Sequence, residues 1–513
     1  MRKWLLLTLV LVLLLSACGG VQEGPTEGET TIIGCGGQHA DADANGLCDR
    51  CGDSVVTTFD FYTFNDLHGK FADGDNHPGV DELTTFLRNA QKSDDHVILL
   101  SAGDTWQGSA ESNLTGGLIM TDWMNDLDFT AMALGNHEFD WGEEAIRKNA
   151  EAAEFPLLAI NIFQRGTNEQ VDYCQSSVLV DADGIQIGII GAIGDCYSSI
   201  AADKVEDIYF KTGSQLTALV KAECDALRAQ GADFIVYLLH DGHGQSSGTG
   251  SSTVSGGQLA SYYDPSLSDG YVDLVFEGHT HQQYLNVDKH GVYHLQNRGD
   301  NKGGISHVEV SFNTVTGDTD ITAAELITSG SYTSLTDDPI VEQLLEKYKD
   351  IIDPAYDVIG TNIRTRNSNE LRQKVADLYY ELGVAQWGDA YDVFLGGGFI
   401  SVRSPYDLSK GDVTYAQLQS LFPFDNDIVL CSIQGRDLLN KFINTGNRNY
   451  YISNGSANVS GSGVDPNETY YVVVDTYTAM YAPNRLTVVE EYETGVYARD
   501  LLADFIMFGG YSK

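Results

Sequence analysis

From residue 57 onward, short runs of β-branched and aromatic residues alternate with longer stretches of helical period, the pattern of a layered α/β protein. Five of these runs share an ending. TTFDFYTF leads into Asn65-Asp66-Leu67-His68-Gly69, HVILLSA into Gly103-Asp104, and FTAMAL into Gly135-Asn136-His137-Glu138. DFIVYLL leads into His240-Asp241-Gly242, and VDLVFE into Gly278-His279-Thr280-His281. Each apolar strand thus ends in Gly beside Asp, Asn or His. In open α/β sheets ligands bind outside the carboxyl ends of strands, so the five loops are expected to converge on one site. FPLLAINI and GIQIGIIGAIG lack such endings and read as structural strands.

Farther on, residues 335–352 place Ile340, Leu344 and Tyr348 at helical spacing after an Asp-Asp-Pro start, which predicts a helix linking two domains. From about residue 358 a second alternating unit follows. It has a helix over Glu370–Leu382, a strand DVFL running into Gly396-Gly397-Gly398, a loop FPFDN, and a strand YYVVVDTY. The Gly/Ser-rich stretches 244–257 and 453–463 read as loops.

The amino terminus follows other rules. Arg2 and Lys3 precede an apolar run from Trp4 to Leu15 that is too short to span a bilayer comfortably and ends in Ser16-Ala17-Cys18, the layout of a cleaved export signal. Leu15-Ser16-Ala17-Cys18 before Gly19 is similar to a bacterial lipobox, which would make Cys18 the lipid-modified first residue. Residues 18–34 read as a solvated tether. Then come Cys35, His39, Cys48 and Cys51 within residues 35–56. Three thiols and one imidazole suit a closed, structural zinc site. Two other readings stay open: a calcium loop, because Asp41, Asp43, Asn45, Gly46 and Asp49 mimic the start of an EF-hand, although Gly52 stands where its bidentate acid belongs; and a disulfide, because an exported chain meets oxidising conditions. Cys174, Cys196, Cys224 and Cys431 are scattered at no metal-like spacing and read as buried or disulfide-linked.

Composition narrows the chemistry. The 513 residues carry 30 Lys+Arg against 73 Asp+Glu, a formal net charge of −43, so a nucleic-acid polymer lying across the surface is excluded as the main ligand. With 42% hydrophobic residues the chain still has ample core material. An anion such as phosphate would have to be received by metal ions or a few placed arginines. Asp66, His68, Asp104, Asn136, His240, His279 and His281 are natural metal ligands at the five strand ends. Two divalent ions about 3.5–4 Å apart make a site for phosphoryl chemistry, clamping attacking and leaving oxygens. Such a pair needs one bridging carboxylate, and Asp104, alone in its loop, is the candidate.

These motifs carry a resemblance. Asp66-x-His68, Gly103-Asp104, Gly135-Asn136-His137-Glu138, His240 and Gly278-His279-x-His281 resemble the ordered motifs of the calcineurin-like metallophosphatases. NDLHG, GDTWQGS and GNHEFDWG, followed by GGG and PFDN, are similar to the bacterial 5′-nucleotidase family, which includes UDP-sugar hydrolases and cyclic phosphodiesterases. The resemblance implies a four-layer α/β/β/α sandwich over 57–330, a linker helix over 331–357 and a smaller α/β nucleotide-binding domain over 358–513. It implies one metal, Zn, Mn or similar, on Asp66, His68, Asp104 and His281, and a second on Asp104, Asn136, His240 and His279. His137 and Asp140 match the family's catalytic His-Asp pair. Phe424 matches an aromatic that stacks on the base, with Asn426 beside it, and Tyr477 matches a second ring less closely. The chain departs from its relatives where they carry Arg after Gly-Gly-Gly-Ile: Ile400 stands there and Arg403 is the nearest arginine. Arg364 and Arg366 fall near another family arginine, and Ala479–Arg485 replaces the usual acidic loop.

The expected reaction is hydrolysis of extracellular nucleoside 5′-phosphates to nucleoside and phosphate. UDP-sugars or 2′,3′-cyclic nucleotides are alternative substrates for the same metals, and a non-catalytic surface nucleotide- or metal-binding lipoprotein is the alternative of another class. The expected location is the outer face of a bacterial cell membrane, tethered by lipid at Cys18. Cys18→Ala should therefore shift the protein from the membrane pellet to the soluble fraction. Variant protein still lipidated and membrane-bound would refute the tether.

Overall fold

The structure, a computed structural model, describes residues 39–512 apart from 44, 53, 74–77, 94–95, 244–262, 300–302, 404, 445–449, 456–458 and 481–485. The leader, Cys18, the tether, Cys35, the 244–257 loop and Tyr481–Arg485 lie outside the described residues. The chain divides into two compact units, one ending at Val55 and one running from Val56 to Lys513.

In the larger unit two six-stranded sheets lie face to face. The first has the order Thr319–Ile327, Ile305–Asn313, Val56–Phe64, Val97–Ser101, Ala131–Ala133, Leu157–Leu158. The second has the order Tyr284–Val287, Tyr293–Gln296, Leu274–Glu277, Phe234–His240, Ile185–Ile193, Ser177–Ala182. Strand alternation assigns the layers, because successive side chains point to opposite faces. Phe59, Phe61, Ile98, Leu100, Ala131 and Ala133 meet Ile187, Ile189, Val236, Leu238, Leu274 and Phe276 in a core between the sheets. The intervening Leu99 and Met132 face outward, to a core completed by helices Asp81–Ser93, Leu118–Asp126 and Glu143–Ala152. Ile190, Ala192, Ile235 and Tyr237 face the other way, to helix Ser214–Ala229. The order of layers is α/β/β/α. Each fully buried Leu, Ile or Phe in these cores contributes about 1.5–3 kcal/mol.

The central strands are parallel within each sheet: Val56–Phe64 with Val97–Ser101 and Ala131–Ala133, and Ile185–Ile193 with Phe234–His240 and Leu274–Glu277. Their carboxyl ends therefore share an edge. Helix Pro339–Tyr356 starts as its sequence predicts: Asp338 accepts from the Ile340 N–H at 3.1 Å and Pro339 occupies the first turn. It is more than a spacer, since Val341, Leu344 and Ile352 join the outer core of the first sheet.

The rest of the unit is a five-stranded sheet in the order Tyr450–Ser453, Val393–Phe399, Thr469–Asp475, Ile428–Gln434, Thr487–Glu491. Leu430 and Val473 face helices Ser368–Trp387 and Ala498–Met507, while Val429, Cys431, Val472 and Val474 face Leu438 and Phe442. A Cβ on Gly396 would lie 2.2 Å from the Tyr380 backbone nitrogen, so the Gly-Gly-Gly run lets this strand lie directly on the helix.

Candidate metal centre

All seven expected ligand residues come together at the shared edge, and the backbone there is strained to bring them in. Asp66, His68, Asp104, His279 and His281 all have φ between 50° and 70°, a region that costs non-glycine residues about 1–3 kcal/mol each and persists only where surroundings enforce it. The enforcement is visible. Glu138 is fully buried and accepts backbone N–H bonds from Gly135 (2.7 Å), Thr105 (2.8 Å), Asp104 (2.9 Å) and Trp106 (3.2 Å), pinning the Asp104 loop to the Asn136 loop. Asn65 donates to Asp66 Oδ2 at 2.7 Å and to the Asn297 carbonyl at 2.8 Å. Glycine is required at the closest approaches: a Cβ on Gly135 would lie 2.3 Å from Asp104 Oδ1, and one on Gly299 2.2 Å from Asp66 Cβ.

The imidazoles are oriented from behind, as ligand histidines usually are. His240 Nδ1 faces the Ala102 carbonyl at 2.7 Å and His68 Nδ1 the Gln107 carbonyl at 3.0 Å. A carbonyl only accepts, so each ring carries a proton on Nδ1 and turns its Nε2 lone pair into the cluster. There His240 Nε2 lies 3.1 Å from Asp104 Oδ2, buried and without a hydrogen-bond partner. His68 Nε2 lies 3.2 Å from His281 Nε2, which is 3.4 Å from Asp66 Oδ1. His279 Nδ1 meets Asn136 Oδ1 at 2.8 Å, and its backbone N–H donates to Asp66 Oδ1 at 2.9 Å. Asp104 shares one set of close donors with Asp66 and His240 and another with His68 and His137.

Lone pairs packed against lone pairs in a dry site need positive charge between them. Without a cation, protons fill the role: burial opposes a charge on His240, yet Asp104 pushes its imidazole up to about 10. Burial holds His68 down to about 3 and His279 to about 4, both neutral and ligand-ready. Asp104 stays ionised far below the usual carboxylate range, because the charges of His240 and His137 outweigh its burial. A donor set of carboxylate oxygens, an amide oxygen and imidazole nitrogens fits divalent ions.

Beside the cluster, His137 Nδ1 lies 2.8 Å from Asp140 Oδ2. Burial pulls His137 down, but the carboxylates of Asp140 and Asp104 outweigh it and raise the imidazole above its ordinary value. Arg403 Nη2 reaches His137 Nε2 at 3.2 Å, and its guanidinium lies 5.2 Å over the Phe424 ring. Phe424 in turn packs 5.7 Å from His137. Three of the other expected substrate contacts have partners within the second half of the chain. Arg364 pairs with Glu370 at 2.5 Å, Arg366 stacks 3.7 Å over Tyr511, and Tyr477 packs 5.7 Å from Phe399; Asn426 is half-buried.

Several residues carried no sequence signal for this site. Cys196, read as a scattered thiol, brings its sulfur to the His240 carbonyl at 2.9 Å and sits with His240 and His279. Burial holds it a neutral thiol, pushed well above the ordinary range. Arg499, 5% exposed, pairs with Asp425 and donates to the Phe422 and Phe424 carbonyls at 3.2 Å, fixing the FPFDN loop. Cys174, Cys196, Cys224 and Cys431 are all buried free thiols, so none forms a disulfide. Glu138→Ala would orphan four buried N–H groups at about 1–3 kcal/mol each. Its urea midpoint should fall sharply, and an unchanged midpoint would contradict the clamp.

Comparison with known proteins agrees with this geometry. Residues 60–283 match the family model described as calcineurin-like phosphoesterase. The protein named UshA from Yersinia enterocolitica is 25% identical over 508 residues, covering 86% of this chain and 89% of that protein. A 5′-nucleotidase from Vibrio vulnificus is 29% identical over 229 residues, 42% of this chain and 39% of that protein. The solved 5′-nucleotidase precursor from Thermus thermophilus superposes with a TM-score of 0.65 at 19% identity, covering 88% of this chain and 96% of that one, which extends the shared fold through the carboxyl-terminal sheet. Among the described residues no helix is long and apolar enough to cross a membrane. Five motif-bearing strand ends that fold onto one electron-rich, cation-seeking cluster, within a matching family region, make residues 60–283 a calcineurin-like phosphoesterase domain and the chain a metal-dependent phosphoester hydrolase.

Proposed function

We propose that the chain hydrolyses nucleoside 5′-phosphates outside the cell, with one divalent ion on Asp66, His68, Asp104 and His281 and another on Asp104, Asn136, His240 and His279. The observation that carries this reading is the position of His137. It stands at the edge of the ligand cluster, fixed by Asp140, with Arg403 and Phe424 brought against it from the second half of the chain. A site that only stored metal would need none of these three.

When bound, two divalent ions would polarise the phosphoryl oxygens and generate a nucleophile at neutral pH. The chain supplies the rest. Asp140 holds His137 Nδ1, so Nε2, which accepts from Arg403 in this structure, is the atom that would donate to a phosphoryl oxygen or protonate the leaving alkoxide once it carries a proton and faces substrate. Arg403 brings a fixed positive charge to the same Nε2, where a substrate anion would take its place as partner; in a chain of net charge −43 such a charge is scarce. Phe424 offers an aromatic face, held by the Arg499 brace, on which a base can stack; such stacking is worth about 1–3 kcal/mol per base. The names of the relatives support nucleotides as the substrate class, and the leader-like Met1–Cys18 supports export and a lipid tether.

His137→Ala should keep both ions and lose about 10²–10⁴-fold in kcat, while Asp104→Asn should lose metal as well, read by metal analysis beside steady-state kinetics. Turnover at the wild-type rate in purified His137→Ala would overturn the assignment. On a panel of AMP, ADP, UDP-glucose, 2′,3′-cyclic AMP and bis-p-nitrophenyl phosphate, AMP should be turned over with the highest kcat/KM. Metal-dependent turnover that is best on a diester would replace the substrate class and leave the site intact.

A further inference from the structure

We propose that the amino-terminal unit is built around a zinc ion of its own, held by His39, Cys48 and Cys51 and distinct from the phosphoesterase cluster. The ligand atoms of these three residues lie within 4.8 Å of one another. Cys51 Sγ is 3.5 Å from His39 Nδ1. A tetrahedral ion with arms of about 2.3 Å to sulfur and about 2.0 Å to nitrogen has an S···N edge of about 3.5 Å, so sulfur and nitrogen already stand at coordination spacing. The chain between Cys48 and Cys51 is a tight turn closed by the Gly52 N–H on the Cys48 carbonyl at 2.8 Å, with Gly52 at φ 76°.

The same loop argues against calcium. Asp41, only 5% exposed, spends both carboxylate oxygens on the backbone N–H groups of Asn45 and Gly46, each at 3.0 Å. Asn45 Oδ1 accepts from Leu47 N–H at 2.9 Å, and Asp49 Oδ2 from Ala42 N–H at 2.8 Å. The polar side chains that mimic an EF-hand thus build the turn itself. The Asp49 N–H on the Ala40 carbonyl at 2.7 Å then ties the segment after His39 to the Cys48–Cys51 turn. Among the described residues the apolar core of this unit is Cys48, Cys51 and Val55. So small a core does not order a chain alone, and short units of this kind are stapled by metal or disulfide. Among the described residues Cys48 and Cys51 form no disulfide, and their donors with His39 fit a metal staple.

The test uses the full chain purified under reducing conditions, as wild type, as Cys48→Ser/Cys51→Ser and as Asp43→Ala. Wild type should hold one zinc ion per chain more than the double variant. After Co²⁺ loading it should show a near-ultraviolet sulfur-to-cobalt charge-transfer band that the double variant lacks. Asp43→Ala should keep both zinc and band, because Asp43 accepts from the Asn45 side-chain amide at 3.0 Å and stands outside the ligand set. Phosphoester hydrolysis should be the same in all three proteins, so loss of this site and failure of the phosphoesterase assignment read out separately. Equal zinc content in wild type and double variant, a band that survives the double substitution, calcium bound in place of zinc, or a Cys48–Cys51 disulfide found by mass mapping would each overturn the proposal.

Discussion

The constraint on which the larger unit turns is the packing of unshared electron pairs at one edge of two sheets. Asp66, Asp104, Asn136 and four imidazoles meet there, most of them buried, and without a cation only protons, chiefly the one Asp104 keeps on His240, offset their charge. Five of the seven accept left-handed backbone to arrive. Glycines at 103, 135, 278 and 299 remove the side chains that would collide with them, and Glu138 locks two of the loops together. Local strain of this kind, held by the fold, is what a site looks like when its geometry is fixed before the ligand arrives. The net charge of −43 sharpens the point, because the protein's lysines and arginines are too few to draw in phosphate unaided.

Much of this was legible in the residue order, for a physical reason. A strand's polar ending is a local feature, and five such endings in parallel strands must share an edge once the sheets form. The layered fold and the start of helix Pro339–Tyr356 follow from alternation and capping, which are also local. What sequence could not supply depends on contacts between distant segments. Cys196 reaches His240 only because the strand from Ile185 lies beside the strand from Phe234. Arg499 braces a loop more than seventy positions away, and no spacing rule marks an arginine for that task. Nor does sequence show that Arg364 and Arg366, near a family position by number, are engaged by Glu370 and Tyr511. Arg403, chosen only as the nearest arginine to a vacant family position, is the one that reaches His137.

The two units illustrate opposite ways of using a metal. At the phosphoesterase cluster, oxygen and nitrogen donors are imposed by a core that folds for other reasons, so metal serves chemistry more than architecture. In the amino-terminal unit the donors are sulfur-rich and nearly coincide with the core itself. There the metal would be the architecture.

The central claim is that the strand-end cluster acts only when its lone pairs are shared with two divalent ions. The most direct measurement strips the purified protein with chelator and returns Mn²⁺ in increments while phosphate release from AMP is followed. The account predicts no release from stripped protein and a rise that levels off at two ions per chain. Release that persists in the stripped protein, or a rise complete at one ion, would contradict it.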